Sequence, residues 1–189
     1  MKILVIGGGK GTGKDVVDYF APNSKNVSLS TGYNIRNPNR RREIAEMSLE
    51  YEAVLNHAYC GEMSQYMMLR QLYNHWKDAD HEGYIFHTGT YSTYSINWDP
   101  DSNYTDMKKA SDELLKKMSK KCENNKHKFR CTNLRPAMLD TPKSRLKPHW
   151  EGTGVTGEDF AKIIEFLFNN VTDGLCVPEI VLSQKHDPL

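Results

Sequence analysis

The sequence predicts a single α/β domain built around a mostly parallel β-sheet. Two observations predict this fold class. Short apolar runs alternate with amphipathic segments along all 189 residues, which is the order that strands and crossover helices have in a parallel sheet. Five glycines also occur among the seven residues 7–13, directly after the first apolar run. A chain of this length can bury a hydrophobic core of its own, so we expect one domain, residues 1–189.

The predicted strands are short runs rich in β-branched and other apolar residues. Residues 2–6 form the first, and its continuous apolar character is typical of a strand covered on both faces. Residues 179–182 form the last, which we expect near a sheet edge because Pro178 cannot donate to a ladder. The other predicted strands are residues 26–30, 53–57, 83–88 and 129–134.

The predicted helices lie between these strands. Residues 103–122 show the clearest pattern, because Ala110, Leu114, Leu115 and Met118 form an apolar stripe at helical spacing. The other predicted helices are residues 14–20, 40–50, 61–77 and 157–169.

One half of the sheet is predicted to be reduced. Residues 31–52 have room for only one helix, although each pair of parallel neighbours needs a crossover of about a dozen or more residues. If residues 33–35 were a strand, two residues would separate them from Ser30, which leaves no space for a helix. We therefore expect a sheet that is pared down around its second and third strands.

Composition argues against several classes of protein. The chain has 25 Lys and Arg against 24 Asp and Glu, a balance that is unusual for a nucleic-acid-binding protein. No apolar run approaches the ~20 residues of a membrane span, so we do not expect a membrane protein. The first apolar run leads into glycines, so we do not expect a signal peptide either. We therefore expect a cytoplasmic location. The four cysteines form no C-x-x-C motif and the histidines show no ligand spacing, so we expect reduced thiols and no metal site.

The glycine-rich segment can be compared with three phosphate-binding patterns, because a strand, a glycine loop and a helix open a nucleotide-binding unit. Residues 8–14 fit the P-loop pattern, but Asp15 stands where a hydroxyl should hold magnesium, so an NTPase is a remote alternative. The pattern G-x-G-x-x-G fits from no starting residue. The pattern G-x-x-x-G-x-G fits with Gly7, Gly11 and Gly13, whose backbone could approach a pyrophosphate at a helix N-terminus.

This third pattern resembles that of the short-chain dehydrogenase/reductase family, and further family motifs follow in the same order. Residues 54–59, Val-Leu-Asn-His-Ala-Tyr, are similar to the family's strand-ending Asn-Asn-Ala-Gly, with His57 and Tyr59 as departures. Residues 83–90 resemble the strand that delivers the catalytic serine, and residues 133–141 resemble the Pro-Gly segment over the nicotinamide. The resemblance spans nearly the whole chain and implies a Rossmann-like three-layer sandwich with a doubly wound sheet.

The family's catalytic Y-x-x-x-K motif occurs twice in the chain. Tyr104 and Lys108 follow the strand 83–88, as in the family, whereas Tyr73 and Lys77 precede it. Residues four apart share a helix face, so Lys108 can lie near the Tyr104 phenol, and a nearby positive charge lowers the pKa of a phenol. The alternative for Tyr104 is a partly buried core residue.

The resemblance implies a role for each candidate site residue. Thr90, with Ser92 as the alternative, would orient a substrate oxygen, Tyr104 would transfer a proton, and Lys108 would hold the cofactor ribose and lower the tyrosine's pKa. The family's fourth catalytic group, an asparagine, is not evident among residues 62–65, which read Glu-Met-Ser-Gln. The implied cofactor-binding residues are Gly7, Gly9, Lys10, Gly11, Thr12, Gly13, Ser30, Thr31, Asn34, Asn56, His57, Ala58, Tyr104, Lys108, Pro136, Ala137, Met138, Leu139 and Thr141.

The end of the second predicted strand bears on the cofactor. Sites that prefer NAD place a carboxylate there for the ribose 2′-hydroxyl, but no acidic residue occurs between this strand and Glu43. Ser30 and Thr31 offer hydroxyls instead, and Lys10 stands where NADP-dependent relatives often carry a basic residue. We therefore expect NADP(H) to be preferred over NAD(H).

These inferences lead to two hypotheses for function. The first is an NADP(H)-dependent carbonyl reductase or alcohol dehydrogenase that acts on a small molecule. The second, favoured by the departures from the family motifs, is a dinucleotide-binding sensor or partner protein with a decayed site. Because family members commonly pair through the helices that correspond to residues 61–77 and 103–122, we also expect a homodimer or homotetramer.

Overall fold

A computed structural model describes residues 1–94, 103–124, 126–146, 154–171 and 175–183. Within these residues, six strands form one sheet in which every neighbouring pair is parallel, in the order β2-β1-β3-β4-β5-β6. The prediction of a parallel sheet is therefore confirmed. The strands are β1 Ile3–Ile6, β2 Ser24–Val27, β3 Ala53–Asn56, β4 Gly83–Thr88, β5 Phe129–Pro136 and β6 Glu179–Leu182.

Helices cover both faces of the sheet. Alternate residues of β1 face opposite sides, so Leu4 and Ile6 join the core beneath α2, α3 and α4, while Ile3 and Val5 join the core beneath α1 and α6. This arrangement is the predicted doubly wound, three-layer sandwich. The helices are α1 Gly11–Tyr19, α2 Pro38–Ser48, α3 Ser64–Asp78, α4 Asn103–Glu123, α5 Pro142–Arg145 and α6 Gly157–Asn170, with 3₁₀ turns at Leu29–Thr31 and Tyr91–Tyr94.

The half of the sheet on the β2 side of β1 is reduced, as predicted. Within the described residues, β2 alone lies beyond β1, and β3 pairs with the other edge of β1. The chain between them carries the 3₁₀ turn Leu29–Thr31 and α2. Residues 33–35 do not form a strand, because the chain turns there and Ile35 inserts into the core.

Several predicted boundaries were wrong, among them the start of the first helix, which is Gly11 and not residue 14, and the structure gives a physical reason for two others. The second strand ends at Val27, not at residue 30, because Ser28 and Thr31 form reciprocal side-chain and backbone hydrogen bonds that cap a 3₁₀ turn. The helix predicted from residue 61 begins at Ser64, since Glu62 and Met63 have φ values of 49° and 57° that a helix does not accommodate. At the other end of the sheet, β6 is an edge strand paired to β5, as predicted.

None of the helices in the described part of the chain is long and apolar enough to cross a membrane. Nor does this part of the chain bring together three or more histidine, cysteine or acidic side chains that could hold a metal ion. The four cysteines are free thiols.

Candidate active site

The predicted site residues follow the carboxyl ends of adjacent strands. In a parallel sheet these ends lie along one edge, and the crevice for a ligand opens where the strand order reverses. Here the reversal lies between β1 and β3. The glycine loop follows β1, residues 57–59 follow β3, Thr90 follows β4 and Ala137 follows β5. The fold therefore gathers the separate sequence motifs at one edge.

Two glycines of the loop after β1 are required by close approach of backbone atoms. A Cβ atom at Gly7 would lie 2.7 Å from the Ala58 backbone nitrogen, and one at Gly13 would lie 2.4 Å from the Gly7 carbonyl oxygen. Gly7 also has a φ of 102°, which other residues rarely adopt. The loop consequently packs against the end of β3 with bare backbone.

The beginning of α1 presents groups that suit an anion. Lys10 occupies the N-cap without a side-chain hydrogen bond to the helix, and no acidic residue lies in the first turn. Thr12 is 1% exposed, and its hydroxyl has no hydrogen-bond partner among the described residues. Unpaired amides and the helix dipole favour a phosphate at such a terminus. The residues present therefore fit the pyrophosphate of a nicotinamide dinucleotide.

Hydroxyl groups border the outer side of the glycine loop. The hydroxyls of Ser28 and Ser30 lie 2.8 Å apart, and each is 2.8 Å from the position that a Cβ atom at Gly9 would take. Ser30, Thr31 and Lys10 are exposed. Asn34 is engaged in a different contact, because its side chain accepts a 3.0 Å hydrogen bond from the backbone nitrogen of Arg36.

Tyr104 and Thr90 meet in the structure. Tyr104 lies in the first turn of α4, and its hydroxyl shares a hydrogen bond with the side chain of Thr90. The Tyr104 ring also meets Tyr59 edge-on, with ring centroids 5.0 Å apart, and the Lys108 Nζ lies 5.4 Å from its centroid. The side chain of Ser92, the alternative to Thr90, lies outside the described residues.

The second Y-x-x-x-K pair is arranged differently. The Tyr73 hydroxyl accepts a 2.9 Å hydrogen bond from Lys121, while its ring packs edge-on against Phe129 in the core. Lys77 is paired with Asp78. The structure therefore places Tyr73 among the helices that cover the sheet, away from the glycine loop.

Lys108 is buried and reaches two acceptors. Its Nζ donates hydrogen bonds to Gln65 Oε1 at 2.7 Å and to the Thr88 carbonyl oxygen at 2.6 Å. Burial lowers the pKa of Lys108 to about 7, an effect that the charge of Asp112 opposes.

Sequence reasoning missed Gln65. The residue is fully buried, and its Nε2 donates to the carbonyl oxygens of Asn56 at 3.1 Å and Thr88 at 3.2 Å. Asn56 in turn donates from its side chain to the Gln65 carbonyl oxygen at 3.0 Å. Gln65 thereby joins β3, β4 and Lys108 of α4. It lies in the segment where the family's asparagine was sought, and a polar residue at a helix start was the signal available.

The expected effect of Lys108 on Tyr104 is not what the structure gives. The pKa of Tyr104 is raised from its ordinary value, because burial of the phenol outweighs the hydrogen bond with Thr90, which acts in the opposite direction. The Lys108 ammonium is directed instead to Gln65 and Thr88.

His57 directly follows β3 and lies between the glycine loop and the end of β4. Its Nδ1 lies 2.9 Å from the Thr88 hydroxyl, and its ring would be 3.1 Å from a Cβ atom at Gly13. Burial and the charge of Lys108 lower the pKa of His57 to about 4. Burial likewise holds the pKa of His87, the next histidine beneath it on β4, well below its ordinary value. Both rings are consequently neutral at neutral pH.

The segment after β5 lies opposite the glycine loop. Its backbone is fixed by hydrogen bonds from Ala137 to Leu182 and from Val155 to Met138, and Leu139 forms a bridge with Val155. Thr141 caps α5, and its methyl group would be 3.7 Å from a Cβ atom at Gly11. Thr141 therefore brings the end of this segment beside the glycine loop.

Comparisons with known proteins bear on the fold. No family model matches the chain, and no curated protein matches it. Several solved structures, in contrast, are similar to this chain. A 3-ketoacyl-(acyl-carrier-protein) reductase from Brucella melitensis complexed with NADH has a TM-score of 0.71 at 17% identity, with 95% of this chain and 96% of that chain covered. A short-chain dehydrogenase from Burkholderia cenocepacia in complex with NADP has a TM-score of 0.74 at 13% identity, with 96% and 95% covered.

A third similar structure is a 4-hydroxyisoleucine dehydrogenase complexed with NADH, with a TM-score of 0.70, 18% identity and 96% of both chains covered. The chain thus shares its three-layer α/β fold with solved structures that hold NADH or NADP. More particularly, the chain has the fold of the short-chain dehydrogenase/reductases, which confirms the predicted resemblance at the level of the fold.

Proposed function

We propose that this chain is an NAD(P)(H)-dependent oxidoreductase that interconverts a carbonyl group and an alcohol on a small molecule. The hydrogen bond between Tyr104 and Thr90, beside the buried amine of Lys108, carries the proposal. A hydroxyl pair of this kind can bind a carbonyl oxygen and deliver a proton to it. The pair adjoins the crevice whose bare backbone suits a pyrophosphate.

The cofactor would supply the hydride that adds to the carbonyl carbon in the reductive direction. Thr90 would orient the carbonyl oxygen, and Tyr104 would transfer its phenolic proton to the oxygen as negative charge develops there. Lys108, whose Nζ lies 5.4 Å from the centroid of the Tyr104 ring, would hold the ribose. Hydride and proton together convert the carbonyl to an alcohol, which balances the reaction.

The proposed cofactor site comprises three segments. The glycine loop and Thr12 would bind the pyrophosphate, residues 56–58 would contact the nicotinamide ribose, and residues 136–141 would cover the nicotinamide. At the adenosine end, we propose that Lys10 with Ser30 and Thr31 favours the 2′-phosphate of NADP(H), because a cation and two hydroxyls attract an anion and no carboxylate repels it. The similar structures include one that binds NADH and one that binds NADP.

We also propose a cytoplasmic homodimer or homotetramer that assembles through α3 and α4. The four free thiols support a reducing compartment. On α3, the apolar side chain of Met67 is 39% exposed, so this face offers apolar surface to a second copy. Light scattering at about micromolar concentration tests the assembly, and a monomeric mass would contradict it.

Two measurements test the proposed function. Binding titrations with NADPH and NADH at one salt concentration should show binding, with NADPH tighter. Oxidation of NADPH should then be followed against a panel of carbonyl compounds for the wild type, Tyr104→Phe and Tyr73→Phe. We expect Tyr104→Phe to lower turnover by about 10²-fold or more with little change in cofactor affinity. Tyr73→Phe is the control from the other Y-x-x-x-K pair and should remain active.

A dinucleotide-binding sensor is the second candidate. The departures His57 and Tyr59 and the raised pKa of Tyr104 favour it. Cofactor binding without turnover on any carbonyl compound would select the sensor. Loss of activity in Tyr73→Phe but not in Tyr104→Phe would show that the catalytic pair is misassigned.

A further inference from the structure

A buried arginine contacts the segment that carries Thr90. Arg135, near the end of β5, is 2% exposed. Its Nη1 donates to Asp112 Oδ2 at 3.0 Å, to the Thr93 hydroxyl at 2.6 Å and to the Thr90 carbonyl oxygen at 3.2 Å. Its Nε donates to Glu179 on β6 at 2.8 Å. Burying an arginine is unfavourable unless it is fully paired, and an apolar residue would pack a sheet equally well, so this arrangement calls for an explanation.

Asp112 connects the arginine to the helix of the proposed catalytic residues. Tyr104, Lys108 and Asp112 are spaced four residues apart on α4 and therefore share one helix face. The second carboxylate oxygen of Asp112 accepts a 2.9 Å hydrogen bond from Asn133 on β5. The ion pair of Asp112 with Arg135 thus ties α4 to β5, and the further contacts of Arg135 tie both to the segment of Thr90.

This connection sets the relative position of two groups that must act together. Tyr104 comes from α4 and Thr90 from the segment after β4, and their hydroxyls share a hydrogen bond. The Thr90 carbonyl is held by Arg135, and Arg135 is held by Asp112, two turns along α4 from Tyr104. A shift of α4 would therefore be transmitted to both members of the hydroxyl pair.

The same ion pair sets the electrostatic surroundings of Lys108. The negative charge of Asp112 raises the pKa of Lys108, and the positive charge of Arg135 lowers it. The other titratable groups around Lys108 are Tyr104 on α4, His57 after β3 and His87 on β4, and Glu179 of β6 faces Arg135 from the far side. Neutralising Asp112 would leave the charge of Arg135 unbalanced beside Lys108.

We propose that Asp112 and Arg135 are positioning residues of this site: Arg135 holds the Thr90 backbone in place, and Asp112 anchors Arg135 and places a negative charge one helix turn from Lys108. The inference rests on the proposed oxidoreductase function. It assigns these two residues no contact with substrate or cofactor, and it distinguishes them from Glu179, whose contact with Arg135 joins β5 to β6 at the sheet edge.

The test compares four variants with the wild type. Asp112→Asn removes the charge with little change of shape. Arg135→Lys keeps the charge but lacks the planar group that reaches several acceptors at once. The double variant Asp112→Leu with Arg135→Met replaces the pair by apolar side chains, which often preserves folding when a single change does not. Glu179→Gln is the matched control, because it neutralises the other carboxylate on Arg135 without touching α4.

Two readouts are measured for each variant. The first is the pH dependence of kcat/KM for NADPH-dependent carbonyl reduction. The second is the titration of Lys108 by NMR of ¹³C-labelled lysine, which requires no turnover. In Asp112→Asn we expect the Lys108 titration, and with it the alkaline limb of the rate profile, to move to lower pH by about one pH unit, since an attractive charge is lost. In Glu179→Gln, the Lys108 titration and the alkaline limb of the rate profile should stay within about 0.3 pH unit of their wild-type positions.

For the variants of Arg135, we expect kcat to fall about 10- to 100-fold while KM for NADPH changes less than about threefold, because the Thr90 carbonyl loses its support. The double variant should remain folded and equally slow. If its activity returns to the wild-type value, or if Asp112→Asn leaves the Lys108 titration unmoved, the inference is overturned. If Lys108 moves as expected but Tyr104→Phe equals the wild type in turnover, the proposed function fails while the coupling of Asp112 to Lys108 stands.

Discussion

Lys108 Nζ and Gln65 Oε1 lie 2.7 Å apart and join α4 to α3 at the floor of the candidate active site. Gln65 also supplies both hydrogens of its amide to the ends of β3 and β4. A residue with these contacts orients the amine of Lys108, and at the same time it satisfies two buried carbonyl oxygens.

Replacing Gln65 by leucine should therefore destabilise the protein. The change removes one acceptor from Lys108 and leaves the carbonyl oxygens of Asn56 and Thr88 without this donor, each worth about 1–3 kcal/mol when buried. We expect the free energy of unfolding, measured in urea, to fall by roughly 2–4 kcal/mol. Gln71→Leu makes the same chemical change in the half-buried middle of α3 and is the control. Equal losses in the two variants would contradict the prediction.

The burial of Lys108 should give stability a defined pH dependence. The folded state releases the proton near its pKa of about 7, whereas the unfolded chain holds it up to the ordinary value of 10.5. Between these values the unfolded state binds more protons, so stability rises with pH, by at most about 1.4 kcal/mol per pH unit. Between about pH 7 and pH 9, we expect the free energy of unfolding of the wild type to increase relative to that of Lys108→Met.

The measurement is urea unfolding at several pH values, with the difference between the two proteins as the readout. Groups common to both proteins cancel in that difference. Lys109→Met, on the exposed side of the same helix, should show no such trend relative to the wild type. A difference that stays constant with pH would show that Lys108 titrates near its ordinary value.

His57 should make the protein sensitive to acid. Its pKa of about 4 in the folded state lies below the ordinary 6.5. Between these pH values His57 is protonated in the unfolded state and neutral in the folded state, so stability is lost as the pH falls through this range. As the pH falls from about 6.5 to about 4, the free energy of unfolding should decrease in both proteins. We expect the decrease in His57→Asn to be about 1–3 kcal/mol smaller than in the wild type. His75→Asn on α3 is the control, and an equal acid response in all three proteins would argue against the prediction.

Gly13 should not tolerate even a methyl group. A Cβ atom there would lie 2.4 Å from the Gly7 carbonyl oxygen, a backbone atom that cannot move without displacing the loop. Although alanine favours a helix by about 1 kcal/mol, overpacking costs about 1–3 kcal/mol, so we expect a net loss of stability. Cofactor affinity, measured by fluorescence titration, should fall by about tenfold or more because the loop is displaced.

Gly32→Ala is the control for this prediction. Gly32 has a φ of 84°, but within the described part of the chain no atom lies within 4 Å of its Cβ position. Alanine there meets backbone strain of about 1–2 kcal/mol without a steric contact. It should lower stability and leave cofactor affinity unchanged. If Gly32→Ala weakens the cofactor as much as Gly13→Ala does, the loss reflects stability and not the shape of the loop.

Lys10 should discriminate between the two dinucleotides. It is exposed and directly follows Gly9, whose Cβ position lies 2.8 Å from the hydroxyls of Ser28 and Ser30. A 2′-phosphate bound there would gain a charge-assisted contact that a 2′-hydroxyl would not. We expect Lys10→Ala to weaken NADPH binding about tenfold and NADH binding less than about twofold at low salt. Lys14→Ala, whose wild-type side chain is paired with Asp18 on α1, should change neither constant. Equal binding of the two cofactors by the wild type would refute the preference.

The fold could be predicted because its signals are local. Apolar runs such as residues 3–6 and 53–55 are fully buried in the structure, and their short length and β-branched residues distinguish them from helices. The predicted end of β2 was wrong by three residues, because the hydroxyl side chains of Ser28 and Thr31 form hydrogen bonds with backbone groups that would otherwise pair in the sheet. The pattern of apolar residues does not reveal such hydrogen bonds.

The site could be predicted only in part, for a related reason. Glycine spacing and Y-x-x-x-K are short-range patterns, and the structure brings the corresponding residues together. The contacts of Gln65 with Thr88 and of Arg135 with Asp112 join residues that are distant in the sequence and lie on different elements. A polar residue type occurs both in buried networks and on the solvated surface. No rule based on spacing in the sequence could therefore show, before the fold was known, that Gln65, Arg135 and Asp112 are buried.

The all-parallel sheet has a consequence for how the protein reaches its native state. Ile3 pairs with Ala53 and Gly83 with Phe129, so no described strand can pair by a simple reversal of the chain, and each pairing first closes a long loop. Proteins dominated by such distant contacts have high contact order and fold slowly. The candidate crevice lies between β1 and β3, and it cannot exist until the chain has been synthesised through Asn56. If the proposed function holds, cofactor binding reports on chains that have completed this long-range pairing.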